Sequence, residues 1–332
     1  MKKFFFFTSL VCGLTSALLN AGTFRVNNKL ADNPAAKIYS DLQEAHDAAF
    51  NGDTIMVEGS PDNYSGVNIT KKLIIKGPGY FLDENPGISA NKISTQVNTV
   101  SFADGSGGSV VMGLESFFDI REDDITIRRC HASNINLYAN CENITISECY
   151  FDINLYGDCI YAFGYIATNL VVVNCMINGG VSIYNGSTGV FLNNILNTEL
   201  IDIPTGFDLK NNILCKAGKE NVKLPALPDP DVSYNLSISD HFGTDNHNQA
   251  NISEEALFLG ALSNSTDGKW QLKEGSPALS AGEGGVDCGA YGGPQPYQLS
   301  GLPAGPVIYE LNVSSYSTED NKLPVTIKVK SY

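Results

Sequence analysis

Charge, tryptophan and helix-forming residues are all scarce in this chain of 332 residues. Only 17% of the residues are charged, there is a single Trp, and no Ala/Glu/Lys/Leu-rich profile marks a helical bundle or coiled coil. Basic residues are the scarcer sign, 21 against 36 acidic ones, which leaves a net charge of −15. So acidic a surface argues against nucleic acid and anionic membranes as partners. Past residue 19 no run is apolar for long enough to span a membrane. What the chain has instead is 32 Gly, many Asn, and enough length to bury a large core.

Met1-Lys-Lys3, the apolar residues 4–19 and the small pair Ala21-Gly22 read as a secretory signal peptide over residues 1–21. Cys12 follows Leu10-Val11 rather than the small residue of a lipoprotein cleavage site, so secretion is the reading preferred over a lipid anchor. Removing Lys2 and Lys3 takes the net charge to −17, and the product is expected to be a monomer that is periplasmic, extracellular or held at the cell surface.

Between Asp124 and Leu214 the sequence repeats. Asp124-Ile-Thr-Ile-Arg-Arg-Cys130 recurs as Asn143-Ile-Thr-Ile-Ser-Glu-Cys149 and Asn169-Leu-Val-Val-Val-Asn-Cys175, then more weakly as Gly189-Val-Phe-Leu-Asn-Asn-Ile195 and Asp208-Leu-Lys-Asn-Asn-Ile213. The steps are 19, 26, 20 and 18 residues. A second unit lies between them: Ile135-Asn-Leu-Tyr138, Ile153-Asn-Leu-Tyr156, Val181-Ser-Ile-Tyr184 and Ile201-Asp-Ile-Pro204. Both units alternate apolar and polar residues, the signature of a strand with one buried face. Two such units per step predict short strands joined by turns, each coil stacked on the last, which is an all-β parallel β-helix. In that register Cys130, Cys149, Cys175, Ile195 and Ile213 form one interior column. Ser40-Asp-Leu-Gln43 predicts a capping box for a short helix ended by Asn51-Gly52, and Asp53-Thr-Ile-Met-Val57 and Lys72-Leu-Ile-Ile-Lys76 read as the first strands.

Leu42-Gln-Glu-Ala-His-Asp-Ala-Ala49, Gly52-Asp-Thr-Ile-Met-Val57 and Leu73-Ile-Ile-Lys-Gly77 resemble the N-terminal cap of secreted right-handed parallel β-helix proteins of the pectate-lyase-like superfamily (the pectin-lyase fold). Gly275-Ser-Pro-Ala-Leu-Ser-Ala-Gly282 with Asp287-Cys-Gly-Ala-Tyr-Gly-Gly293 resembles the closing segment sometimes called choice-of-anchor Q. The resemblance implies a fold over residues 22–297 and no particular activity; neither the paired-Asp and His-Gly motifs of polygalacturonases nor the Arg-rich signatures of pectate lyases are present. Residues 298–332 read as a Pro/Gly connection followed by a β-hairpin tail, with packing on the last coil preferred over a sorting or anchoring role.

Register also groups the cysteines. Cys130, Cys149 and Cys175 read as an interior ladder of small apolar thiols, whereas Cys141 and Cys159, in turns of an exported chain, fall within reach of a disulfide. No spacing matches a zinc site.

Function has to come from the outward face. If Ile135 and Leu137 point in, Asn136 and Tyr138 point out, followed on later coils by Asn154 with Tyr156 and Ser182 with Tyr184. Asp119 and Arg121 of Phe118-Asp-Ile-Arg121 fall in the same two columns at one end, and Asp202 at the other. Flat rings suit sugar faces and the polar column suits hydroxyls and carboxylates, so this strip is the candidate substrate-binding site; cross-strand packing alone is the competing explanation. Were the protein a lyase, Arg121 would serve as base with Asp119, Glu115 or a bound calcium as partner. Were it a glycosidase, Asp202 and Asp208 would supply the carboxylates, with Lys210 nearby. Of the histidines, His46, His131, His241 and His247, none has a partner legible in the sequence. Two functions of different class therefore stand: a secreted protein that binds or cleaves an extracellular polysaccharide, and a non-catalytic surface or adhesion scaffold.

Overall fold

The computed structural model describes residues 21–152, 157–162, 164–216, 218, 221–225, 231–263, 265–314 and 322–331. Parallel strands stack into a β-helix whose coils present three walls. The first wall is an 11-stranded sheet that opens with Ile38–Tyr39, Thr23–Val26 and Thr54–Val57 and runs through Thr126–Arg128, Thr145–Ser147 and Leu170–Val173 to Val232–Ser233. Thr23–Val26 precedes both of the strands read from the sequence as first. The second sheet begins as one broad surface, Val67–Ile69, Gln96–Phe102, Glu115–Ile120 and His131–Leu137, and then forks. The first half of His131–Leu137 pairs with Tyr150–Phe151, which leads to Met176–Ile177, Ile195–Leu196, Ile213–Leu214 and Leu236–Ser237, the second wall. Its second half pairs with Asp158–Ala162, then Gly180–Ile183, Ile201–Asp202 and Val222–Lys223, the third wall.

The corner between the first and second walls explains the repeat. One residue per coil turns the chain in the left-handed region: Arg129, Glu148, Asn174, Asn193, Asn211 and Tyr234, with φ between 52° and 58°. Asn pays least for that conformation among residues with a side chain, which is why it recurs there. The next residue points inward, and it is Cys130, Cys149, Cys175, Asn194, Asn212 and Asn235 in turn. The expected interior column is thus right for its three cysteines and wrong by one place beyond them. Ile195 and Ile213 pair with Met176, Tyr150 and His131 on the outward side.

Inside, the asparagines form a ladder. The side-chain oxygens of Asn194, Asn212, Asn235 and Asn248 accept the backbone N–H of Cys175, Asn194, Asn212 and Asn235 respectively, each at 2.9 Å. Their amides donate to the carbonyls of Val172, Phe191, Leu209 and Val232 at 2.7–2.9 Å. The corner's polar groups are thereby satisfied by one another.

The helix Leu42–Ala48 plugs the first coil with Leu42 and Ala45 buried. Its N-cap is Asp41, whose carboxylate accepts from the N–H groups of Gln43 and Glu44, rather than Ser40; Gln43 instead reaches across to the backbone of Asn68.

Residues 254–263 and 265–302 fold back as a strap over the outward side of the second wall. Tyr150, Met176, Ile195, Ile213 and Leu236 on the wall meet Leu257, Phe258, Trp270, Ala278 and Ala290 from the strap in a second buried cluster. The corner asparagines hold it: Asn174 donates to the carbonyls of Ala290 and Gly292, and Asn193 to that of Asp287. Gly292 is required there, since a Cβ would stand 1.9 Å from the Asp287 carbonyl oxygen. Asp267, fully buried, accepts from Asn85, Ser265, Tyr297 and the Ser300 N–H, tying the strap to the loop after the early strands.

The tail is an antiparallel pair, Pro306–Val313 with Val325–Ser331, as expected, but it does not pack on the last coil. Ala90 N–H donates to Ile308 O, so it sits near the early coils. The cross-strand pairs Ile308/Val329, Leu311/Ile327 and Val313/Val325 remain about half exposed.

Candidate functional site

Because the strap covers the second wall, the third wall keeps an open outward face, and it carries the candidate strip. Strand register places Asn68, Ser101, Asp119, Asn136, Tyr161, Ser182, Asp202 and Lys223 in one column. The structure thus brings together Asp119, Asn136, Ser182 and Asp202 as expected. Asn154 and Tyr156 lie outside the described residues, and the place expected for Asn154, between Asn136 and Ser182, belongs to Tyr161. The 26-residue step between Cys149 and Cys175 holds the extra residues, so the strand that continues the wall is Asp158–Ala162 rather than the Ile153-Asn-Leu-Tyr156 unit.

Arg121 and Tyr138 meet in the neighbouring column, with the guanidinium carbon 4.8 Å from the ring centroid. Arg121 also stands 3.9 Å from Asp119, and Asn136 donates to Asp119 at 3.3 Å. At the far end Lys223 pairs with Asp202 at 2.8 Å, and Ser182 donates to Asp158, whose carboxyl is pushed up by burial. Tyr138 and Tyr184 are about 40% exposed, as is Phe117. Each end of the strip has a hollow: about 410 Å³ beside Ser182, Tyr184, Asn185 and Asp202, and about 430 Å³ beside Gln43, Asn68, Ser101 and Arg121.

This geometry does not supply the acid–base pairs considered from the sequence. Asp119 and Asp202 are four strand spacings apart, about 19 Å, well beyond the separation of glycosidase carboxylates. Asp208 lies in Phe207–Lys210 of the first wall, a different sheet from Asp202, and Lys210 pairs there with Glu283. Glu115 pairs with His131 rather than with Arg121. Among the described residues no group of three or more His, Cys, Asp or Glu side chains is arranged to hold a metal ion.

The constellation that sequence reasoning missed is at His131. Its Nδ1 meets Glu115 at 3.1 Å and its Nε2 meets Asp152 at 2.8 Å, with the rings of Tyr80, Phe81 and Tyr150 packed around it. Burial disfavours the charged ring, but the two hydrogen-bonded carboxylates override it and lift the pKa to about 9. Asp152 is held below the usual carboxylate range by the same bond, and so is Glu115, despite its burial. Both ring nitrogens are occupied, so the imidazolium is a clamp at neutral pH and not a base. The signal was present: Glu115 and His131 each open a strand whose Phe118-Asp119-Ile120 and Ile135-Asn136-Leu137 fall in register.

All seven described cysteines are free thiols. The expected bridge fails because Cys141 pairs in register with Ala167 in a small separate sheet, whereas Cys159 lies in the third wall and donates to the Asp152 carbonyl. Burial pushes Cys141 up to about 11 and Cys159 to about 12. In comparisons with known proteins, no family model, no curated protein and no solved structure matches the chain.

Proposed function

We propose that this is a secreted, non-catalytic glycan-binding β-helix, akin to the pectate-lyase-like proteins its caps resemble, and that a polysaccharide lies along the third wall. One observation carries the reading: the strap leaves the third wall's outward face open, and that face bears an unbroken column of hydrogen-bonding side chains flanked by half-exposed rings. A linear glycan laid along the coil axis meets a new strand every 4.8 Å or so, and so a fresh polar side chain and, at intervals, a ring face. Binding rather than cleavage follows from the wide separation of Asp119 and Asp202 and from Arg121 being held by Asp119 and Tyr138. Export is supported by the apolar N-terminal run after Lys2-Lys3.

The test is a broad glycan array followed by calorimetry on any responding polysaccharide, with Tyr138→Ala, Tyr161→Ala and Tyr184→Ala. Loss of on the order of 1 kcal/mol or more of binding per ring, with little change in melting temperature, supports the proposal. No response from any glycan, with stability falling in all three variants, leaves the rings as sheet packing and favours the adhesion scaffold.

A further inference from the structure

A second site of different chemistry lies under the strap. A cavity of about 590 Å³, within the range of small-molecule pockets, opens between the strap and the second wall. The wall contributes Asn197, just after Ile195–Leu196, and Lys216, just after Ile213–Leu214. The strap contributes the apolar residues Phe258, Leu259, Leu262 and Trp270 and the charged residues Glu254, Glu255, Lys269 and Lys273.

Elsewhere Arg25, Lys29, Arg128, Arg129, Lys210, Lys223 and Lys328 each sit against a carboxylate, while Lys71 and Lys92 donate to backbone carbonyls. Here Lys273 is taken up by the Glu255 carbonyl, but among the described residues Lys216 and Lys269 have no ion-pair partner. Lys269 stands over the Trp270 ring, 5.2 Å from its centroid, and its charge reaches Asp152 only from beyond ion-pair distance. Trp270 is 6% exposed, and its indole stands against the Tyr150 hydroxyl in the cluster beneath the strap. Leu262, at 82% exposure, is the most open large aliphatic side chain among the described residues. Lys216, Lys269 and Lys273 outnumber Glu254 and Glu255 in the lining, and beside an apolar wall they are complementary to an anion with an apolar or ring-shaped body.

We propose that this cavity binds a small organic anion, its carboxylate or sulfonate held between Lys216 and Lys269 and its body against Phe258, Leu262 and Trp270. The proposal is independent of the glycan strip, which lies on a different wall.

Trp270 is the only tryptophan in the chain, so energy transfer from it reports on this cavity alone. The intact protein is titrated with anilinonaphthalene sulfonate and, in parallel, with uncharged phenylnaphthylamine. Saturable transfer from Trp270 at one sulfonate per chain is expected, with the neutral probe weaker by on the order of tenfold or more. The double variant Lys216→Gln/Lys269→Gln should lose affinity for the sulfonate by a similar factor and leave the neutral probe unchanged. Both lysines are on the surface of the cavity rather than in the core, and raising salt on the unmodified protein gives the same answer without a variant. Equal affinity for the two probes, a sulfonate affinity indifferent to salt and to the double variant, or no saturable transfer would each overturn the proposal.

Discussion

Replacing Asn212 by Ala removes a rung from the interior ladder, and the structure sets the size of the effect. Asn212 Oδ1 accepts from the Asn194 N–H at 2.9 Å and from Asn194 Nδ2 at 3.0 Å, and its Nδ2 donates to Phe191 O at 2.8 Å and to Asn235 Oδ1 at 3.0 Å. Both asparagines are fully buried. Alanine leaves the Asn194 N–H with no acceptor and takes a partner from Phe191 O and from Asn194 Nδ2 inside a fully buried corner. One orphaned buried donor at about 1–3 kcal/mol and further lost bonds at about 1 kcal/mol each give about 3 kcal/mol in total. Urea unfolding followed by far-ultraviolet circular dichroism measures it. The control is Asn312→Ala, which breaks the exposed bond from Asn312 to Glu310 at a position with no left-handed backbone and is expected to cost about 0.5 kcal/mol or less. If Asn212→Ala unfolds within 1 kcal/mol of the wild type, or no more easily than Asn312→Ala, the ladder does not hold the corner and the reasoning is refuted.

Three further outcomes are expected. His131 has a folded pKa of about 9 against 6.5 when unfolded, so its clamp stabilises fully below pH 6.5 and fades as pH rises toward 9; about 2 kcal/mol should be lost between pH 5.5 and 8 in urea titrations, and His131→Gln should flatten that slope. Below that window the depressed Glu115 and Asp152 work in the opposite direction, adding a loss of stability as pH falls through the carboxylate range, which the same titrations continued into acid should show as a second decline. Peptide mass mapping should find Cys141 and Cys159 unjoined, with iodoacetamide labelling the seven described thiols only after denaturation; a mapped bridge between the two would contradict the register of the third wall.

The cysteine repeat, the alternation inside each unit and the caps at either end were enough to specify a stacked parallel coil, because period-two patterning and a fixed step are properties of the chain itself. Register beyond Cys175 was not, and Ile195 and Ile213 show the reason. An apolar residue next to a corner reads as interior, yet the strap makes a second apolar surface outside the coil, and it claims Ile195 and Ile213 while Asn194 and Asn212 turn inward to bond the backbone. Likewise, the step from Cys149 to Cys175 revealed that residues had been added but not which segment continued the wall, so Tyr161 was passed over for the Ile153-Asn-Leu-Tyr156 unit. Asp119, Asn136, Ser182 and Asp202 could be placed in one column from spacing alone. That their wall is left uncovered by the strap, that Asp119 and Asp202 stand too far apart to act together, and that His131 sits between Glu115 and Asp152 depend on where the strap and the turns lie, and those contacts join residues too distant in sequence for local patterning to couple them.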